Sequence, residues 1–413
     1  MRRYAEEGVG EAIVGIVGSI SAITARRYDN ATMLANYAGL PPAYETPREI
    51  YDAAQRVKRA VEAVPGREGR YLNGMIDAFA LYARILEGDQ IPYAQAIETM
   101  QQVRLHPVPR DRFAALSARI SEELGALGYS GAVGGQITAW LRDSAIPPEE
   151  VAGTAARFLE RAKAATERRV AGLPQGDGID AVNSVRGVFW SGLSRYLGNF
   201  RGDLTFNIDR PWSLPTFANI LCHEGYPGHH AFYGHWDDLY RRGELPLEAA
   251  FYSTAGNPAN PMFEGAPETG LHFLGWDDFR EDTPEITDAE KRAFAIGRDV
   301  LDLQRMLQMQ GCYLHHVEGA GHREVVAYMC ADGIFTRLEA ENTFRFFTHP
   351  VQQYYYPCYY YGRWMVYEGF EQTPREKRGE FFRLLYDRPH TNETFLAEVR
   401  ELTGKPFDPF RDW

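Results

Sequence analysis

Apolar residues spaced three and four apart run through the first two hundred residues, a pattern that a chain can bury only by forming helices and packing them. Between Pro109 and Leu127 the stripe is Phe113, Leu116, Ile120 and Leu124. After Pro147 and Pro148 a second stripe, Val151, Ala155, Phe158, Leu159 and Ala162, shares a face with arginines and glutamates opposite. A Gly/Pro-rich loop at 171–178 punctuates these helices, and a long helix is expected from about Asp288 to His315. Leu204-Thr205-Phe206-Asn207-Ile208 instead alternates apolar and polar residues, which predicts a half-buried strand at a sheet edge. The expectation is a mainly α fold with a small β element. It divides into an N-terminal helical half over 1–200 and a second half over 201–413, or forms one continuous domain.

Charge narrows the partners. The 413 residues carry 44 Lys and Arg against 56 Asp and Glu, a net charge of -12 with no basic run, which argues against nucleic acid and anionic membranes. The four cysteines lie far apart without a CxxC and read as reduced thiols. No apolar stretch reaches the roughly 18 residues of a membrane span. The nearest, Ala12 to Ala25, follows Arg2 and Arg3, so a cleaved signal peptide is an alternative. Glu6, Glu7 and Glu11, and the lack of an A-x-A site before Arg26 and Arg27, favour a packed helix in a cytoplasmic protein. Nothing in the sequence sets an oligomeric state.

Histidine is unevenly placed. Of eleven, His106 alone precedes residue 223 and nine fall between His223 and His349. The centre is His223-Glu224-Gly225-Tyr226-Pro227-Gly228-His229-His230. A His-Glu pair with another His close behind is the logic of zinc hydrolases: two imidazoles hold the metal and the Glu acts as general base. The usual i+4 partner is missing, because that position is Pro227. On a regular helix His229 sits about 240° from His223, and His230 returns to about -20° but roughly 10.5 Å along the axis. Pro227 clashes with the carbonyl four residues back and Gly228 permits unusual dihedrals. A bulge absorbing two extra residues would bring His229 back beside His223, so His229 is the favoured second ligand and His230 the rival.

A third ligand must come from elsewhere, and Glu264 is the best candidate, in Asn260-Pro261-Met262-Phe263-Glu264. Asn260 as N-cap and Pro261 at the first helical position predict a helix there. Glu268, one turn on, is placed to orient a ligand imidazole, although Pro267 kinks that helix. Asp237, Asp238, Asp277 and Asp278 are rivals that read as polar helix ends. His315 and His316, and the tyrosines among residues 354–361, are candidate donors to a developing oxyanion.

The run from His223 to His230 resembles the HExxPGHH signature of the bacterial family called domain of unknown function 885, whose members are similar to zincin metallopeptidases of the Glu-liganded type. The likeness covers about residues 200–370. It implies a zincin-like architecture, two helical halves flanking an active-site cleft, with one zinc ion per chain held by His223, His229 and Glu264. Phe263-Glu264-Gly265 is similar to the family's E-G-W element, with Ala266 where the Trp stands. Counting back from Ala327-Tyr328 selects His316 over His315. Counting back from Gly362 selects Tyr359, and counting forward from Pro350 selects Tyr356. The resemblance implies a zinc metallopeptidase with Glu224 as base and Tyr359 or His316 as oxyanion donor. Its substrate would be a short peptide, held by β-augmentation on the strand at 204–208. The alternatives are a hydrolase of a non-peptide amide and a metal- or ligand-binding protein without turnover.

Overall fold

A computed structural model of the chain describes residues 8–209 and 211–410. Arg2, Arg3, Glu6 and Glu7, which bear on the signal-peptide reading, lie outside them. Among the described residues the fold is mostly helical. In chain order the α-helices are α1 (Val9–Tyr28), α2 (Pro47–Val61), α3 (Gly66–Glu87), α4 (Tyr93–Gln101), α5 (Arg110–Ala126), α6 (Val133–Asp143) and α7 (Val151–Arg169). They continue with α8 (Leu214–Glu224), α9 (His229–Arg241), α10 (Asn260–Glu268), α11 (Gly270–Phe273) and α12 (Asp288–His316). The last five are α13 (His322–Cys330), α14 (Arg337–Thr348), α15 (Pro357–Gln372), α16 (Arg378–Tyr386) and α17 (Asn392–Thr403).

The stripes seen in the sequence are the buried faces. Leu116, Ile120 and Leu124 of α5 are buried, with Phe113 packed beside them, and Val151, Ala155, Phe158, Leu159 and Ala162 of α7 are buried together. Thr287 and Glu290 form a capping box that starts α12, as Thr46 and Glu49 do for α2. Helix α1 is long and apolar enough to cross a membrane, yet 72% of its most apolar window is buried in the core.

Among the described residues seven short strands make three sheets. β1 (Met33–Asn36) pairs antiparallel with β7 (Phe251–Ser253), and β2 (Ala145–Ile146) with β6 (Trp212–Ser213). The third sheet has the order β3 (Gly178–Val185), β5 (Arg201–Asn207), β4 (Gly192–Gly198). The alternating segment therefore forms a central strand, parallel to β3 and antiparallel to β4, rather than an edge. Leu204 and Phe206 point into the core, and both backbone edges of β5 are already paired, so no peptide can add to it. The two neighbours that pair with it were not evident in the sequence, because their residues are mostly polar or half-exposed.

Two hydrophobic clusters hold the helices. The larger runs from α1 to the C-terminal helices, and the smaller surrounds α12 with α5, α6, α13 and α14. Each draws residues from both sides of residue 200. Helices α10 and α15 cross at Gly265 and Gly362, where a methyl on either glycine would overlap backbone of the other helix. This close approach sets Glu264 of α10 against the tyrosines around the start of α15. Gly362→Ala is expected to lower the free energy of unfolding by about 1–3 kcal/mol, measured by urea denaturation, as overpacking a tight contact does.

Candidate metal centre

The helix carrying Cys222 and His223 does not bulge; it stops. Helix α8 ends at Glu224, and α9 begins at His229 after four linking residues. The link does what two inserted residues must do. The N–H of Gly228 donates to Cys222 O at 2.9 Å and that of Ala231 to Gly225 O at 3.3 Å, each reaching back six residues instead of four. A side chain at Gly228 would overlap the His223 carbonyl, so only glycine lets the chain turn so close. The link is pinned from both sides: Tyr226 donates to Asp177 Oδ1 at 2.5 Å and Tyr386 to Pro227 O at 2.6 Å.

This break brings His229 beside His223, with ring centroids 4.7 Å apart and planes at 88°. Glu264 of α10 faces both rings. His223 Nε2 lies 3.3 Å from Glu264 Oε2, and His229 Nε2 lies 3.3 Å from Glu264 Oε1. The three ligand atoms fall within 4.8 Å of one another, and all three residues are buried. Ligands about 2.0–2.1 Å from one tetrahedral zinc ion stand roughly 3.3 Å apart, so the spacing suits that ion. Glu264 Oε2 is buried without a hydrogen-bond donor, as a carboxylate oxygen meant for a cation would be. The residues present fit a zinc ion.

A further layer of side chains orients the ligands. Glu268, one turn after Glu264, lies 3.3 Å from His223 Nδ1, so the two carboxylates of α10 hold one imidazole by its two nitrogens. Arg305 of α12 pairs with Glu268, donates to Gln308 Oε1 at 3.2 Å and covers the Tyr359 ring at 4.7 Å. Tyr252 lies 3.3 Å from His229 Nδ1. Its hydroxyl also reaches Phe263 O at 3.5 Å, the carbonyl that Pro267 leaves without an amide partner. Tyr355 donates to Glu264 Oε1.

Electrostatics follow from this packing. Burial works against charge on His223, but Glu264 and Glu268 override it and raise its pKa to about 10. Burial equally disfavours the Glu264 anion, yet His229 and His223 hold that carboxyl well below its ordinary range. Glu268, also buried, is held down to about 2 by Arg305 and His223. Glu224 goes the other way: burial raises its pKa, against the pull of His223 and His229. Tyr359 is raised well above its ordinary value by burial and then by Glu264, and so keeps its proton.

The other sequence candidates fall elsewhere. His230 is fully buried, pointing to Asp177 with Nε2 3.2 Å from Oδ2, away from the trio. Asp237 is bound by Tyr196 and Arg241, and Asp238 by Arg242. Asp277 pairs with His272 and Arg298, and Asp278 with Arg280. His272, Asp278 and Glu371 also offer ligand atoms within 4.8 Å, but Arg280 and Arg378 occupy their oxygens and make an ion-pair network. His316 is not brought to the site. Its Nε2 bonds Phe347 O at 2.6 Å, its ring stacks on Tyr93 at 4.0 Å, and it lies eleven residues, roughly 16 Å of helix, beyond Arg305. Asn260 is the first residue of α10 rather than its cap; Ala259 holds the cap position and Pro261 the second helical one.

Tyr359 and Tyr356 both line a cleft of about 1040 Å³, partly continuous with solvent, that opens on His223 and Glu224. Tyr359 is the nearer to the ligands, its ring 6.2 Å from His223. Tyr355 is one of the tyrosines that the sequence offers as donors, whereas Tyr252, Arg305 and Asp177 are not among its candidates. A run of six tyrosines marked the region of Tyr355, but no local signal singled out the other three.

No protein-family model and no curated protein matches the chain. Among solved structures it is similar to a "putative lipoprotein" from Colwellia psychrerythraea, with a TM-score of 0.59 and 16% identity over 86% of this chain and 67% of that one. It is also similar to a "putative lipoprotein of unknown function" from Shewanella oneidensis, with a TM-score of 0.52 and 14% identity over 87% of this chain and 73% of that one. At these identities the likeness is one of fold alone.

Zinc entering the trio must displace the proton on His223. Apparent zinc affinity, measured by chelator competition, is therefore expected to rise about tenfold per pH unit between about pH 6 and 8. Glu268→Gln, which weakens the hold on His223 Nδ1, is expected to lower that affinity about tenfold at fixed pH.

Proposed function

We propose that the chain is a zinc-dependent hydrolase, a metallopeptidase that cleaves amide bonds in short peptides, and that it belongs with the domain of unknown function 885 family its sequence resembles. The observation that carries this reading is the convergence of His223, His229 and Glu264, with His223 and Glu224 on the wall of a cleft and Glu224 bound to none of the three. A zinc ion held by those three residues would polarise the substrate carbonyl and lower the pKa of a water to about 7.

The remaining steps belong to the protein. Glu224 lines the cleft, and its pKa, raised by burial, makes its carboxylate a stronger base than one in water. It takes the proton of the attacking water and later delivers it to the leaving amine. Tyr359, protonated and facing the cleft, donates to the oxyanion of the tetrahedral intermediate. An extended substrate adds to β4, an edge strand whose first residue Gly192 lines the cleft next to Glu224.

Protein purified without added metal is expected to hold one zinc per chain by elemental analysis, and His223→Ala and Glu264→Ala are expected to lose it. Glu224→Gln should keep the zinc while peptide hydrolysis drops by about 10²–10⁴-fold. Undiminished hydrolysis in that variant would remove the proposed base.

A further inference from the structure

The cleft above His223 and Glu224 has two unlike kinds of lining. One is aromatic and continuous. Tyr359 adjoins His223, Phe346 of α14 packs 6.1 Å from Tyr359 and 5.1 Å from Tyr356, and Phe189 of the β3–β4 loop packs 5.4 Å from Phe346. Phe189, Phe346 and Tyr359 are half-buried and line the cleft, so part of each ring faces it. A strip of aromatic surface thus runs from the mouth to His223, with Arg345 over Phe189 at 5.9 Å and Arg305 over Tyr359 at 4.7 Å, and the remaining ring surface faces the cleft.

The other offers amides, one of them a turn before Phe346 on the same helix. Gln304 of α12 and Asn342 of α14 line the cleft and are half-buried. Among the described residues neither side chain has a hydrogen-bond partner, in a protein where most polar side chains of comparable burial do. An amide presents a donor and an acceptor together, which complements the N–H and C=O of a peptide backbone. Charge is one-sided. Asp209, paired with Arg186 at 3.7 Å, Glu224, and Glu339, which accepts from Thr336, line the cleft, while Arg305, the one cation on its wall among the described residues, is engaged by Glu268.

Resting on the hydrolase reading above, we propose that this cleft selects peptides with a large aromatic side chain next to the scissile amide and disfavours acidic ones. Gln304 and Asn342 hold the peptide backbone. The aromatic side chain lies along Tyr359, Phe346 and Phe189, gaining apolar burial and edge-to-face contacts. An alanine in its place leaves that strip in water, and a glutamate meets the three carboxylates.

The test uses zinc-loaded Glu224→Gln protein, which holds peptides without turning them over. Isothermal titration calorimetry compares three acetylated, amidated tetrapeptides that differ only in one central residue: Phe, Ala or Glu. The Phe peptide is expected to bind at least tenfold tighter than the Ala peptide, with the Glu peptide weakest. Phe346→Ala should cut the Phe advantage below threefold and leave the Ala peptide unchanged. Phe189→Ala, on a loop, should cut it in the same sense and covers the case that Phe346→Ala fails to fold. Asn342→Ala should weaken the Phe and Ala peptides by a similar factor. Equal affinity for Phe and Ala, a Phe advantage that survives both phenylalanine variants, or no binding to zinc-loaded protein would overturn the proposal. Absence of zinc from the wild-type protein would instead sink the hydrolase reading itself.

Discussion

A carboxylate buried between two imidazoles is the arrangement around which this molecule is organised. Glu264 is 1% exposed, and taking such an anion out of water costs several kcal/mol unless positive charge and donors surround it. Tyr355 supplies one donor, and the two ring nitrogens stand 3.3 Å away. Glu268 adds a second buried anion on the far side of His223, with Arg305 as its counter-ion. The cluster is rich in electron pairs and short of protons. It therefore favours positive charge, and Glu264 and Glu268 raise the pKa of His223. Such an imbalance, which costs stability in a metal-free protein, is the kind that a divalent ion would relieve.

Rigid elements maintain that imbalance. The chain break between α8 and α9 is tied down by Tyr226, Tyr386 and its own six-residue hydrogen bonds, so His223 and His229 are held before any ligand arrives. His230 serves the same end from behind, buried against Asp177. Glu264 reaches the site because α10 lies on α15 at a contact between two glycines. Arg305 joins the ligand shell to the cleft wall, holding Glu268 with its edge and covering Tyr359 with its face. Glu224, unlike Glu268, makes no ion pair with the trio among the described residues, and it lines the cleft.

Legibility varied with how local each feature was. The stripes on α5 and α7 were readable because apolar residues one turn apart share a face whatever the helix packs against. The demand for two extra residues between His223 and His229 was also local arithmetic, although the chain meets it by a break rather than a bulge. The strand at 201–207 was recognised but placed at an edge, since its alternation says nothing about who pairs with it. Asn260 looked like a cap because its type suits one, but the preceding turn starts the helix a residue early and leaves its side chain donating to Thr254 O. His316 resembled a site residue in spacing alone, and α12 carries it past the cleft.

By itself the sequence determined the residue types a zinc site needs, the helical class of the fold, and the interruption at Pro227 and Gly228, because each rests on chemistry or geometry within a few residues. Tertiary structure decided the rest. It brings Glu264 rather than the four aspartates, and His229 rather than His230, to His223, with Tyr355 at Glu264 and Tyr359 beside His223. A ligand must reach a point in space within a few tenths of an ångström, and segments far apart in sequence meet there through the packing of α10 on α8 and on α15.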